Sequence, residues 1–345
     1  MTKEMAIPVR VAPEKTSAPF DVHRSWRHLS DLRRHVPAGA VVLAALVVTA
    51  LGEQVAARFA VTAILGIAVV GLSILVGYAG QISLGQAGMV ALGAYGSGVA
   101  TVSHGWSPLA GVAVGMALTL TVAAVTSLLI RLRGLYLALA TLALGMLIQI
   151  VIENLPDLTG GVNGLIGVPY FSIGGAEVTS QRAMFLLAAA AVAVAVWINS
   201  GITTSHIGTS LRAIHDDQDA ALAAAVPVVR YKVLIWLLAA LYASLSGSLY
   251  AHYIGFVSPA QFGVDLSILL VTAVVVGGMT NPLLGLVTLG VLRALPDLLA
   301  DVFVTPAMAM GLLLIVFMAL APDGLDGLLR SLLGRLGRRS ARVEG

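Results

Sequence analysis

The sequence predicts an all-α integral membrane protein, a polytopic bundle of eight to ten transmembrane helices, and three observations carry that prediction. Hydrophobic residues make up 58 % of the chain and charged ones 11 %, with a mean hydropathy of +0.95, far more apolar than a soluble domain. Apolar runs of bilayer-crossing length follow one another from residue 38 to residue 321. The basic residues sit at the chain ends and in short loops, which suits orientation in a membrane and not nucleic-acid binding, despite a pI near 9.3. With no cysteine in the chain, disulfides, thiolate catalysis and cysteine-bound metal centres are excluded.

Residues 1–37 read as a cytoplasmic arm carrying mixed charges, its first twenty residues disordered. Trp26, Leu29 and Leu32 recur at helical spacing between Arg24 and Arg34, so this part can instead lie on the membrane surface as an amphipathic helix. No cleavable signal peptide is expected, because the first apolar run begins only after this polar stretch. Applying a crossing length of about 20 residues places candidate spans near 38–52, 57–77, 86–103, 108–130, 134–155, 182–199, 232–254, 265–280, 283–303 and 305–321. The third and eighth are short and glycine-rich enough to be half-helices or re-entrant segments. With the arm inside, Arg131, Arg133, Arg212, Arg230 and Lys232 all fall on the cytoplasmic side, as does a basic tail at 322–345. The loop 154–181, without Lys or Arg, falls outside.

Residues 77–98, GYAGQISLGQAGMVALGAYGSG, are the least ordinary part of the membrane domain. Glycine is a poor helix former, and Gln81, Ser83 and Gln86 are costly in hydrocarbon unless they meet partners. The segment reads either as a broken helix lining a translocation path or as close helix packing. Gly111 and Gly115 form a GxxxG pair that reads as packing. Arg293, Asp297 and Asp301 share one helix face at i, i+4 and i+8, as a structural cluster that snorkels or as an ion-coupling site.

Further islands are 133–142 (RGLYLALATL, with Tyr136 and Thr141) and 159–165 (TGGVNGL, a tight turn with Thr159 and Asn163). In the interval 200–232, Leu211, Ile214, Gln218 and Leu222 recur at helical steps. Asp216 or Asp217 would cap a short helix that Pro227 limits. It is either a partner-docking element or a solvated loop helix. No GxxxxGK[ST] loop occurs, the nearest glycine pair, Gly278 and Gly285, lacking the lysine, so the chain should not hydrolyse ATP unaided. HExxH and GxSxG are absent, and neither a catalytic constellation nor a metal site is expected.

Taken together, GYAGQISLGQAG, RGLYLALATL, TGGVNGL, LRAIHDDQDAA followed by RYK, LYAHYIGFVSP and VVVGGMTNPLLG resemble, in this order, the permease subunits of branched-chain amino acid ABC transporters, in their M type. The resemblance runs from about residue 57 to 330. It implies a multi-pass protein of the bacterial inner membrane, both termini cytoplasmic, that forms the pathway for leucine, isoleucine and valine. It also implies a second permease subunit as heterodimer partner, two cytoplasmic subunits that bind ATP and magnesium, and a periplasmic or lipid-anchored binding protein. The chain itself would hold no cofactor. Similar permeases carry urea, short amides or other amino acids, and a self-sufficient secondary transporter or channel is the alternative from another class. The expected pathway residues are Tyr78, Gln81, Ser83, Gln86, Tyr136, Thr141, Thr159 and Asn163. Coupling to the ATPase is expected at Arg212, Asp216, Asp217, Gln218, Asp219, Ala220, Ala221 and Ala225. Asp219, Ala220, Ala221 and Ala225 stand where the family's E-A-A-x-x-x-G pattern lies, so the chain departs from it at the acidic residue and at the glycine. Pro227, Met279, Thr280 and Asn281 depart as well.

Overall fold

A computed structural model of the protein describes residues 22–173 and 176–298. Its helices are α1 (Val22–Ala50), α2 (Glu53–Gly77), α3 (Gln86–His104), α4 (Pro108–Thr126), α5 (Leu135–Glu153), the single turn α6 (Pro156–Thr159), α7 (Gln181–Thr203), α8 (His206–Asp216), α9 (Gln218–Ala223), α10 (Val228–Ile254), α11 (Val264–Gly277) and α12 (Pro282–Leu298). Four two-residue strands complete the described part. β1 (Leu165–Ile166) pairs antiparallel with β4 (Phe256–Val257), and β2 (Ser172–Ile173) with β3 (Ala176–Glu177). The all-α membrane bundle expected from composition is present, with six helical segments long and apolar enough to cross a bilayer. Of the ten expected spans, the first eight coincide with helices and the ninth, near 283–303, with a helix as far as Leu298; the rest of it, the tenth near 305–321, Asp301, the tail 322–345 and residues 1–21 of the arm lie outside the described residues. The arm's boundary at Pro37 falls inside α1, which continues through that proline.

The centre of the bundle is built from α2, α3 and α10, which are buried along most of their length, whereas α4 and α5 turn much of theirs outward. α3 is as long as α5, 19 residues, yet is not among the six apolar segments. Small residues replace the lipid-facing ones because its neighbours come within backbone contact. A Cβ at Gly93 would strike the Ser244 carbonyl, one at Gly96 would stand 2.8 Å from the Gly115 Cα, and one at Gly111 would stand 2.9 Å from the Ser97 carbonyl oxygen. The GxxxG pair is thus a helix contact of the small-residue kind.

Successive helices put the loops at two ends. One end gathers residues 78–85, 127–134, 204–227 and 278–281 and carries Arg131, Arg133, Arg212, Arg230 and Lys232. The other gathers 105–107, 154–180 and 255–263, tied together by the β1 and β4 pairing. Here Gly160, Gly161 and Gly164 all take positive φ, as the TGGVNGL turn requires. Between α10 and α11 the chain turns back into the bundle, and a 3-10 turn, Pro259–Phe262, packs the Phe262 ring edge-on against Tyr95 and Tyr250. α11 has only 14 residues, and the short eighth span expected from sequence is this helix with its 3-10 lead-in.

Candidate functional site

α2 ends at Gly77, over which the Met279 carbonyl lies so closely that no side chain fits. Gly80 then takes φ +64, and the turn is closed by Ala79 N–H to the Ile74 carbonyl (3.3 Å) and Gln81 N–H to that of Leu75 (3.1 Å). Residues 78–85 are not helical, and α3 resumes at Gln86. At α3's start the chain lies beside Thr141 and Ala239, which at about 1.5 Å per residue are about 9 Å inside α5 and about 16 Å inside α10. Polar groups at such depth must be met by protein. Leu84 N–H donates to Thr141 Oγ1 (3.0 Å), which itself donates to the Ala138 carbonyl. Gln86 Nε2 donates to the Ala239 carbonyl (3.1 Å), and Ala87 N–H donates to Ser267 Oγ near the start of α11 (3.1 Å). Gln81 differs: its side chain is 1 % exposed, yet neither its Oε1 nor its Nε2 has a hydrogen-bond partner.

Gln81 borders a cavity of about 180 Å³ at the basic end, walled also by Gly80, Arg133, His215, Gln218 and Lys232. Three stretches far apart in sequence meet there: the break, the entry to α5, and the pair α8 and α9. His215 sits directly over Gly80, where a Cβ would stand 3.1 Å from Nδ1. Lys232 Nζ donates to Gln218 Oε1 (2.8 Å). Arg133 grips Asp219 with two parallel hydrogen bonds, 3.0 and 3.3 Å, and the guanidinium holds the Asp219 carboxyl below the usual carboxylate range.

The interval expected to form one short helix forms two. Asp217 leaves α8 in extended conformation, and its carboxylate accepts from Asp219 N–H (2.9 Å) and Ala220 N–H (3.0 Å) as the N-cap of α9. Arg212 fastens α8 to α7 through the Thr203 carbonyl (3.1 Å). Ala221 packs in a small apolar cluster with Ile214 and Val228, while Asp216, Ala220 and Leu222 face outward. Of the expected pathway residues, Gln81, Ser83, Gln86 and Thr141 are buried together around the break, with Tyr78 half-buried beside them. Tyr136 lies apart, exposed on the outer face of α5. Thr159 and Asn163 are at the opposite end. The Thr159 hydroxyl lies within donating distance of the Ile152 and Leu155 carbonyls (2.6 and 2.8 Å) and accepts from Gly161 N–H, organising the turn, whereas Asn163 is exposed. His215, Lys232 and Ser267 were not among the expected site residues. Lys232 was visible in the RYK motif, but nothing in the local pattern singles out Ser267. Arg293 and the backbone of Asp297 lie in α12, and the cluster they were expected to form extends outside the described residues.

Residues 54–321 match the family model for the permease component of the branched-chain amino acid transport system. Two relatives, the high-affinity branched-chain amino acid transport system permease proteins LivM of Salmonella typhimurium (strain LT2) and Escherichia coli (strain K12), are each 28 % identical to it over 286 residues, covering 74 % of this chain. The match spans 66 % of the length of each relative. No solved structure matches the chain at a significant level. A multi-pass helical bundle with this broken segment and this run of motifs belongs to the permease family of the branched-chain amino acid transport system.

Proposed function

We propose that this chain is the permease subunit of an ATP-driven importer that carries branched-chain amino acids across the bacterial inner membrane. A second permease completes the pathway, two ATP-binding subunits on the basic, cytoplasmic side power it, and an external binding protein delivers substrate. Beyond the family match, the observation that carries this reading is the contact of His215 with Gly80. It joins the break between α2 and α3 to the segment that would dock on an ATPase, so motion of α8 and α9 reaches the break directly. The outward side of α9, with Ala220, Leu222 and Ala223 exposed, offers a small apolar face for that docking. Gln81, Ser83, Gln86 and Thr141 at the break supply the polar groups expected of a path for a small zwitterion.

The test is ATP-dependent leucine uptake into vesicles holding the assembled complex, together with crosslinking from Ala220→Cys, exposed on the same helix, to the ATP-binding subunit. Both should occur, and Leu222→Asp should abolish both. Uptake by this chain alone on a proton or sodium gradient would overturn the assignment. Urea uptake in place of leucine would overturn the substrate.

A further inference from the structure

Lys232 differs from the other basic residues at its end of the bundle. Arg131, Arg133, Arg212 and Arg230 are exposed, as basic side chains near a helix end ordinarily are, whereas Lys232 is 7 % exposed. Among the described residues its ammonium forms no ion pair, and its hydrogen bond goes to the neutral amide of Gln218. Buried charges are ordinarily paired, and a lone one is costly. Arg133, on the wall of the same cavity, is matched by Asp219, so the cavity keeps one uncompensated positive charge. Gly134 and Leu137, at the start and end of the first turn of α5, also wall it. No side chain caps that turn, so the positive end of a 19-residue helix adds to the same field.

We propose that this cavity binds the phosphodiester of an anionic membrane phospholipid such as phosphatidylglycerol. A diester carries a single negative charge and cancels the one left over, whereas a phosphate monoester, at about −1.5 to −2 near pH 7, would overcharge the cavity and a net-neutral headgroup would leave Lys232 uncompensated. Depth favours a lipid as the source. With 27 residues α10 is about 40 Å long, close to the about 40–45 Å of a bilayer with its headgroup layers, of which about 30 Å is hydrocarbon. Lys232 therefore lies about 6 Å in from the basic end of α10, at the level of the phosphates. Beside the cavity Leu132, Leu135, Tyr136 and Leu139 are exposed, an apolar surface for acyl chains, with Tyr136 where aromatic residues anchor at a membrane interface. The cavity volume, about 180 Å³, lies below the range of about 300–1,000 Å³ typical of drug-sized ligands, so it takes the phosphate and leaves the chains outside. Because Gly80 and Gln218 are walls of the same space, a lipid seated there fastens the break and α9 to the entry of α5. Recognition of the phosphodiester follows from the cavity and its depth, whatever the chain transports.

Hydrogen exchange of the purified full-length chain in lipid nanodiscs, read at the amides of residues 134–138 and 218–223, tests the site. Discs of phosphatidylcholine alone are compared with discs that also contain phosphatidylglycerol. Dimethyl phosphate and sodium chloride, added to the phosphatidylcholine discs at equal ionic strength, stand for a soluble diester and for any small anion. Phosphatidylglycerol should slow exchange in both segments, and neither additive should. Lys232→Gln should weaken that protection about tenfold or more, Lys232→Arg should retain it, and Arg131→Gln, exposed and off the cavity wall, should leave it unchanged. Unaltered exchange at residues 164–173 shows that each variant is folded. Protection that survives Lys232→Gln, or that falls equally with Arg131→Gln, is general attraction to an anionic surface and overturns the proposal. Equal protection in phosphatidylcholine discs or by sodium chloride, or none in any disc, as a merely hydrated cavity would give, overturns it as well. Protection by dimethyl phosphate equal to that by phosphatidylglycerol overturns the lipid as occupant and assigns the cavity to a soluble phosphodiester.

Discussion

Ala225 is the one non-glycine residue with positive φ among those described, at +59°. It follows α9 at the place where the chain reverses. Val226 N–H donates to the Ala221 carbonyl and Ala225 N–H to that of Leu222, both at 3.0 Å, the pair of bonds that closes a helix C-terminus in a Schellman motif. In that motif Ala225 holds the left-handed position, which costs an L residue with a Cβ roughly 1–2 kcal/mol. Ala225→Gly removes that cost and gives back about 0.5–1 kcal/mol through the greater freedom of glycine in the open chain. The net gain is then about 0.5–1 kcal/mol, which slows local opening of α9 about two- to fivefold, at about 1.4 kcal/mol per tenfold. Hydrogen exchange at the amides of Ala221, Ala224 and Val226 in the full-length chain reads this directly. Ala225→Val, β-branched and poorer still in this conformation, should speed the same amides. If Ala225→Gly exchanges as fast as the parent or faster, the left-handed turn is not where α9 is strained, and the reasoning fails.

Three further outcomes follow from the same geometry. Arg133→Asp should free α9 from the entry to α5, and Arg133→Asp with Asp219→Arg should restore it, read by crosslinking between positions 132 and 220. Since Arg133 holds the Asp219 carboxyl low, the pair's contribution is complete above the unfolded Asp value of about 3.9 and is lost only as pH falls through the lower folded value, so the contact should persist in mild acid. His252→Leu should loosen the loop at the end opposite the basic one. There Nδ1–H donates to the Pro169 carbonyl (2.8 Å), which leaves Nε2 to accept from the Ser97 hydroxyl (2.7 Å), so residues 164–173 should exchange and proteolyse faster. In the resting chain, a cysteine at 82, which is exposed, should react with water-soluble reagents, while those at 83 and 86, both buried, should not. Equal reactivity at all three would mean that the break is open as a whole.

What could be read from sequence was governed by period and length. Apolar runs fixed the helices closely, and the positive residues marked one end, because both are properties of single segments. The Asp217 cap was legible for the same reason. The division of 206–223 into two helices was not, since the side-chain repeat from Leu211 to Leu222 continues across the cap. Gln81 stood out as a polar group in an apolar run, whereas its proximity to Lys232 depends on how α2, α5 and α10 cross. Ser267 illustrates the limit: one hydroxyl in an apolar helix is commonplace, and its role comes from lying opposite the start of α3.

Glycine serves two ends around α3 that sequence alone could not separate, and substitution at Gly85, in the break, and at Gly111, in α4, distinguishes them. At Gly111 a Cβ would stand 2.8 Å from Thr101 Cγ2 and 2.9 Å from the Ser97 carbonyl oxygen, so α4 must move off α3 as a body. At Gly85 it would strike the Thr141 carbonyl oxygen, on the same residue whose hydroxyl holds Leu84 N–H. Gly111→Ala therefore carries an overpacking cost of about 1–3 kcal/mol while leaving the break intact. Gly85→Ala carries a similar cost and also displaces the start of α3 from Thr141, and with it Gln86 from Ala239 and Ala87 from Ser267. Measured in the assembled complex, Gly111→Ala should lower thermal stability with uptake per folded transporter nearly unchanged. Gly85→Ala should lower uptake per folded transporter several-fold at a comparable stability loss. If the two variants lose uptake in the same proportion to stability, the break contributes packing and no pathway.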